Sequence, residues 1–108
     1  MKYLLNDISV TTIGNPNTFN CNHEVGEGFV CKGEMLMFNK DTTQFSHYVL
    51  ATLMPYIAAK QRVHDPNDWM QFEQDIACPD PLCSARFRFS ITGSSAYEYN
   101  ANKVKNKV

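Results

Sequence analysis

The run Ala85-Arg-Phe-Arg-Phe-Ser-Ile91 constrains the fold more than any other stretch of the sequence. Its apolar residues alternate strictly with Arg86, Arg88 and Ser90, which is the pattern of a strand with one buried face. A strand of this kind needs neighbouring strands and a second layer that covers its apolar side. The rest of the chain has to supply both.

Further strands are indicated in the first third of the chain. Residues 2–13 alternate loosely and end in β-branched residues, which predicts a strand that stops at the turn residues 14–17. Glycines at 26 and 28 suit a bend before a short strand at Phe29–Cys31. Lys32-Gly33 then predicts a tight hairpin into residues 34–38.

A helix is indicated by apolar residues at helical spacing. Phe45, Val49, Leu53 and Ile57 recur at intervals of four, which predicts an amphipathic helix over residues 43–54. Its N-cap is expected at Asp41, Thr42 or Thr43. Pro55 removes one helix hydrogen bond, so a second helical piece is expected from there to residue 62. The predicted fold class is α+β, a small, mostly antiparallel sheet of about four strands packed against one long Pro-interrupted helix.

Length and composition indicate a single domain. The chain has 108 residues and is 44% hydrophobic, which is enough for one core. Because Gly93 ends the strand pattern, the domain is expected to span residues 1–93. Residues 94–108 are rich in Ser, Asn and Lys and are expected to form a flexible polar and basic tail.

Charge and hydropathy exclude several classes of partner. The net charge of −1 without a basic face argues against nucleic-acid binding. No apolar stretch reaches the roughly 18 residues of a membrane span, which argues against a membrane partner. Asn6 and Asp7 interrupt the only apolar start, so the expected compartment is the cytoplasm. The four cysteines are then expected to be thiols rather than disulfides.

Several fragments resemble, in order and spacing, a family of small, uncharacterised, mostly bacterial proteins. The match covers residues 19–92, and its fragments are Cys21-x-His23-x-Val25-Gly26-x-x-Phe29, Phe45, Pro55-Tyr56, Trp69-Met70, Ala77-Cys78-Pro79-Asp80 and Phe87-x-Phe89. The resemblance implies no established activity and supports the domain outline. The chain departs from the family pattern in carrying Ser46 where a helix-start Cys is usual, Pro81 for Gly, and Cys83 where Arg is common.

A metal site is the first candidate for chemistry. Cys21, His23 and Cys78 are the predicted ligands, with Asp80, Cys83 or His47 as further candidates. Thiolate and imidazole ligands suit zinc or ferrous iron. No Cys-x-x-Cys pair is present, and the alternative is that these cysteines are small buried apolar side chains.

A catalytic thiol is the second candidate. Cys78 would be the nucleophile, His23 or His47 the base, and Asp80 the group that orients the imidazole. In the alternative interpretation, Asp80 accepts backbone hydrogen bonds in an Asx-type turn beside the prolines.

A ligand pocket without chemistry is the third candidate. Its aromatic lining would come from Tyr48, Tyr56 and Trp69, and Arg86 or Arg88 would hold an anionic group. The alternative is an ordinary core and a solvated sheet face.

The expected function is a small cytoplasmic accessory or small-molecule-binding protein. The alternative is a small enzyme of lyase, isomerase or redox type that uses Cys78 with His23 and Asp80. A homodimer through the sheet is a further expectation, because one helix leaves the other face of the sheet open.

Overall fold

The computed structural model describes residues 2–99 and shows an α+β fold. Five antiparallel strands form one sheet in the order β3-β2-β1-β5-β4, and one helix of 15 residues packs on it. The elements are β1 Lys2–Ile13, β2 Gly28–Lys32, β3 Met35–Phe38, α1 His47–Gln61, β4 Gln74–Ala77 and β5 Arg86–Glu98. Short 3-10 helices lie at Pro16–Thr18 and Trp69–Gln71. No helix among the described residues is long and apolar enough to cross a membrane.

The sheet has one strand more than the sequence predicted. The missed strand is β4, which pairs with β5 through Ile76 opposite Phe87 and Ala77 opposite Arg86. With four residues and one large apolar side chain, β4 is too short to show an alternating pattern. Its existence depends on the unpaired edge that β5 offers.

Strand β5 is longer than predicted. It continues past Gly93 to Glu98, and its last residues pair with Lys2–Asp7 of β1. The prediction of a flexible tail was therefore wrong for residues 94–98, because β1 supplies hydrogen-bonding partners to a polar stretch of low strand propensity. Residues 100–108 of the predicted tail lie outside the described part of the chain.

Close approach of the backbone explains one glycine at the start of β2. A Cβ atom on Gly28 would lie 1.9 Å from the carbonyl oxygen of Val10 on the neighbouring strand. The N–H of Gly28 donates to the hydroxyl of the buried Thr42 at 3.0 Å. Thr42, one of the three candidate helix caps, therefore fixes the start of β2 instead.

Helix α1 starts later than predicted and is not interrupted. Its N-cap is Ser46, whose hydroxyl accepts a hydrogen bond from the N–H of Val49 at 3.4 Å. Pro55 lies inside the helix, which continues to Gln61, so the predicted break was wrong. Pro55 and Ala51 both face solvent, where water can satisfy the carbonyl that loses its partner.

The core lies between α1 and one face of the sheet. Val49, Leu53 and Ile57 are buried, as their spacing predicted, and they pack against the apolar residues of the strands. The strand residues in this core cluster are Ile8, Val10, Phe29, Cys31, Phe87 and Phe89. Each fully buried side chain of this size contributes about 1.5–3 kcal/mol. This core holds β4 and β5, and so fixes the two ends of the loop that joins them.

Candidate metal centre

Three cysteine side chains meet at one end of the sheet. The Sγ atoms of Cys21, Cys78 and Cys83 all lie within 4.8 Å of one another. Cys78 follows β4 directly and Cys83 comes just before β5, while Cys21 lies in the loop that leads to β2. Cys78 and Cys83 are buried and Cys21 is half-buried. The cluster thus joins residues that are far apart in sequence.

The loop between β4 and β5 is folded by Asp80. Oδ1 of Asp80 accepts the N–H of Leu82 at 3.0 Å, and its backbone carbonyl accepts the N–H of Cys83 at 3.0 Å. The N–H of Cys78 donates to the carbonyl of Ala85 at 3.2 Å and closes the loop at its base. This is the Asx-type turn that formed the alternative interpretation of Asp80. The turn directs Cys78 and Cys83 toward each other.

A second set of hydrogen bonds fixes Cys21 beside this loop. The side-chain amide of Asn20 donates to Oδ2 of Asp80 at 2.8 Å, and its backbone N–H donates to Sγ of Cys83 at 3.3 Å. The N–H of Ser84 donates to the carbonyl of Thr18 at 3.4 Å, and the hydroxyls of the two residues are hydrogen bonded. Polar contacts of this kind position metal ligands in many metalloproteins.

The three thiols differ in acidity. Burial, and after it the hydrogen bond with Cys83, together raise the pKa of the Cys21 thiol to about 11. Burial also raises the pKa of Cys78. At Cys83 burial acts in the same direction, but hydrogen bonds from the Cys21 thiol and from nearby backbone N–H groups outweigh it and lower the pKa to about 7. Cys83 is therefore the thiol that ionises near neutral pH. In the neutral pair Cys83 donates to Sγ of Cys21, and after Cys83 has ionised the Cys21 thiol becomes the donor.

The distance between the sulfur atoms of Cys21 and Cys83 is compatible with a disulfide and with shared coordination of a zinc ion. Sγ of Cys21 lies 3.0 Å from Sγ of Cys83. A disulfide would shorten this distance to about 2.05 Å. A tetrahedral zinc ion at about 2.3 Å from each sulfur would lengthen it to about 3.8 Å. Either change in the Sγ–Sγ distance can be made by small rotations of the two cysteine side chains.

His23 does not belong to the cysteine cluster. It is buried between Phe45 and Phe87, with ring centroids 4.7 and 5.3 Å away. Its Nδ1 lies 3.8 Å from Oε1 of Glu27, and its Nε2 has no hydrogen-bond partner among residues 2–99. Burial lowers the pKa of His23, and the nearby Glu27 only partly offsets this. The three-sulfur group therefore contains two of the predicted ligands, Cys21 and Cys78, together with the further candidate Cys83, and His23 lies outside it.

The predicted catalytic residues are only partly brought together. Cys78 and Asp80 share one loop, but no hydrogen bond among the described residues joins His23 to either of them. Both Asp80 oxygens are used by Leu82 and Asn20. His47, the other candidate base, is the first residue of α1 and lies against the ring of Tyr48.

Two adjoining cavities border the cysteine cluster, each of about 360 Å³. Cys21 and Ser46 line both of them. The first is completed by Asn22, His23, Gln44 and Phe45, and the second by Tyr48, Val49, Cys78, Pro79 and Asp80. The first turn of α1 thus forms a wall of the second cavity.

The predicted ligand-binding residues are spread over the molecule. Tyr48 lines the second cavity, whereas Tyr56 and Trp69 pack together with ring centroids 6.4 Å apart. Arg88 forms a two-pronged ion pair with Asp75, at 2.9 and 3.1 Å. Arg86 donates to the carbonyl of Ala85 at 2.9 Å. Neither arginine lines either of the two cavities.

The sequence contains a signal for Cys83 that goes beyond its place among the further candidate ligands. Cys83 follows Cys78 by five residues across a loop with two prolines and an Asp. Because such a loop reverses the chain, two cysteines at its ends face each other. This spacing is the signal that could have identified the pair.

Comparison with family models, with curated protein sequences and with solved structures gave no match.

Proposed function

We propose that this protein is a small zinc-binding protein in which Cys21, Cys78 and Cys83 hold the metal as thiolates. The observation that carries the proposal is the convergence of three sulfur atoms within 4.8 Å. Thiolates are the ligands that zinc and iron–sulfur clusters prefer, and zinc is the metal that three of them suit best in a mononuclear site. Ferrous iron is the second choice for the same ligands.

The ligand count supports a site with one open position. Structural zinc sites normally have four protein ligands, whereas sites that bind a substrate or ligand keep three and leave the fourth open. Asp80, the nearest carboxylate in sequence, has both oxygens occupied by hydrogen bonds. The fourth position would then face the cavities beside Cys21. This arrangement supports the role of a small ligand-binding or accessory protein.

The charge of the site also favours a metal. Burial raises the pKa values of Cys21 and Cys78, so these thiols stay protonated near neutral pH without a cation. A bound divalent cation offsets the cost of burying two thiolates, because it takes the place of their protons. The N-terminus of α1, which lines the second cavity, adds a favourable field for thiolates.

Zinc content tests the proposal directly. Protein purified under reducing conditions, loaded with zinc and desalted is expected to retain about one zinc ion per chain. Serine at position 21, 78 or 83 is expected to abolish stoichiometric binding, whereas Cys31→Ala, which alters a cysteine outside the cluster, should retain it. Equal zinc content in all four variants, or none in the wild type, would contradict the proposal.

A thiol–disulfide function is the second candidate, favoured by the 3.0 Å distance between Cys21 and Cys83. The Cys83 thiolate would attack a small disulfide, form a mixed disulfide and release one thiolate. Cys21, after losing its proton to solvent, would attack the Cys83 sulfur and release the second thiolate. Two electrons pass from the cysteine pair to the small disulfide. Rapid loss of two thiols in oxidised glutathione, absent from Cys21→Ser, would support this candidate.

Catalysis by Cys78 with His23 and Asp80 has less support. The pKa of Cys78 is raised by burial, which disfavours a nucleophilic thiolate. A reducing compartment such as the cytoplasm fits both candidates above, because each requires the cysteines as thiols. A homodimer through the open face of the sheet stays a proposal that measurement of the solution mass would test.

A further inference from the structure

The first cavity is lined by a buried histidine, one of whose ring nitrogens has no partner in the part of the chain that the structure describes. His23 lines this cavity, its side chain is only 4% exposed, and its Nε2 has no hydrogen-bond partner among the described residues. A buried nitrogen of this kind costs about 1–3 kcal/mol unless something pairs with it. The cavity, of about 360 Å³, lies at the small end of the range for ligand pockets.

The surroundings of His23 define what Nε2 can accept. A neutral imidazole carries one donor and one acceptor nitrogen. Nδ1 faces Oε1 of Glu27 at 3.8 Å, and this negative charge favours the tautomer with the proton on Nδ1. Nε2 is then the acceptor, so its missing partner is an N–H or O–H group.

The other residues that line the cavity further restrict which ligands it can bind. The amides of Asn22 and Gln44 and the hydroxyl of Ser46 offer both donors and acceptors, and Phe45 offers an aromatic surface. None of the lining residues is Lys or Arg, the side chains that normally hold phosphate or carboxylate groups. The cavity therefore suits an uncharged, planar, polar molecule rather than an anion.

We propose that this cavity binds a small uncharged nitrogen heterocycle, of the size of a nucleobase, whose ring N–H donates a hydrogen bond to Nε2 of His23. Its ring contacts Phe45, and its other polar atoms pair with the amides of Asn22 and Gln44. The proposal goes beyond the metal centre and does not require it, since none of these four residues is a proposed zinc ligand.

The test is an NMR titration of the zinc-free and the zinc-loaded protein with matched probes. Uracil and adenine carry ring N–H groups, whereas 1,3-dimethyluracil has the ring of uracil without its donors. Uracil or adenine is expected to shift the Nε2 resonance of His23 in a saturable way, and dimethyluracil is not. Binding to the zinc-free protein would support this inference even where the metal proposal fails.

Two variants assign the effect to His23. His23→Phe keeps an aromatic ring between Phe45 and Phe87 and removes the acceptor, so affinity for uracil should fall at least about tenfold. His64→Phe is the matched control, because Nε2 of His64 is also buried with no partner within residues 2–99, but His64 lines neither cavity. This control should bind as the wild type does.

Three outcomes would overturn the inference. The first is no shift at His23 with either base up to its solubility limit. The second is equal binding of uracil and dimethyluracil, which can be measured on the wild-type protein alone. The third is binding of inorganic phosphate or benzoate in preference to the bases.

Discussion

Sγ of Cys21 lies 3.0 Å from Sγ of Cys83, and this contact separates the acidities of two otherwise similar thiols. The pKa of Cys83 is lowered to about 7, and that of Cys21 is raised to about 11. Burial contributes most to the rise at Cys21, and the hydrogen bond between the two sulfurs adds to it. The same hydrogen bond, with nearby backbone N–H groups, lowers the pKa of Cys83, and the second ionisation then has to place two negative charges side by side.

A pH titration of thiolate absorbance near 240 nm in the metal-free protein should show this difference. About one thiolate per chain is expected to appear with a midpoint near pH 7, because the pKa of Cys83 is about 7. As the pH falls through this value, the absorbance should be lost. Cys83→Ser should remove the transition, and Cys21→Ala should move it to higher pH because the donor is gone. A first midpoint above pH 8.5 in the wild type would contradict the prediction.

Asp80 is expected to act as a positioning residue for the metal ligands. Its side chain accepts hydrogen bonds from Leu82 and from Asn20, and so joins the two loops that carry the cysteines. Asp80→Ala should destabilise the protein by about 1–3 kcal/mol, since two donors lose their partner. Zinc affinity should fall about 10–100-fold, as for other residues that orient metal ligands.

The control for this variant is Asp75→Ala. Asp75 is exposed and pairs with Arg88 on the sheet, so its loss should cost less than about 1 kcal/mol and leave zinc affinity unchanged. Urea unfolding and competition with a chromophoric chelator give the two quantities. Similar zinc affinities in both variants would show that Asp80 does not orient the ligands.

Lys60 is expected to stabilise the approach to β4. It is fully buried, and its Nζ donates to the carbonyls of Met70 and Phe72 and to Oε1 of Gln74. Burial lowers its pKa, although Glu73 partly opposes this. Lys60→Met should destabilise the protein by about 2–4 kcal/mol, because three partly buried acceptors lose a charged donor. Urea unfolding measures this, and Lys40→Met, at an exposed position, should change stability by less than about 0.5 kcal/mol.

Local patterns in the sequence predicted the parts of the fold that local chemistry determines. The alternation at residues 85–91 placed Phe87 and Phe89 in the core, and Lys32-Gly33 marked the turn between β2 and β3, where Gly33 has a φ of +57°. The spacing of Val49, Leu53 and Ile57 identified the buried face of α1. In each case the signal and the structure depend on the same few neighbouring residues.

The errors arose where distant residues decide the structure. β4 and the last part of β5 form because a neighbouring strand offers backbone partners, and nothing in their own sequences indicates this. Prediction of the candidate site from the sequence was limited in the same way, because residues distant in the chain decide its arrangement. The three-sulfur group contains Cys21 and Cys78, which the sequence predicts as ligands, but the position of Cys83 beside Cys21 depends on the contacts of Asn20 with the β4–β5 loop. Such contacts between loops leave no periodic pattern in the sequence.

A fourth thiol at position 46 should complete the proposed zinc site. Ser46 lines both cavities together with Cys21, and the second of them also with Cys78. In Ser46→Cys the new thiol is expected to take the open position, which should raise zinc affinity more than about tenfold. The hydroxyl cap of α1 is lost in the same variant, so the metal-free protein should be destabilised by about 1 kcal/mol.

Ser46→Ala is the matched control, since it loses the same cap without gaining a ligand. Cobalt substitution should show stronger sulfur-to-metal charge-transfer absorption in Ser46→Cys than in the wild type. Equal zinc affinity in the Cys and Ala variants would place the open position away from α1 and contradict the proposed geometry.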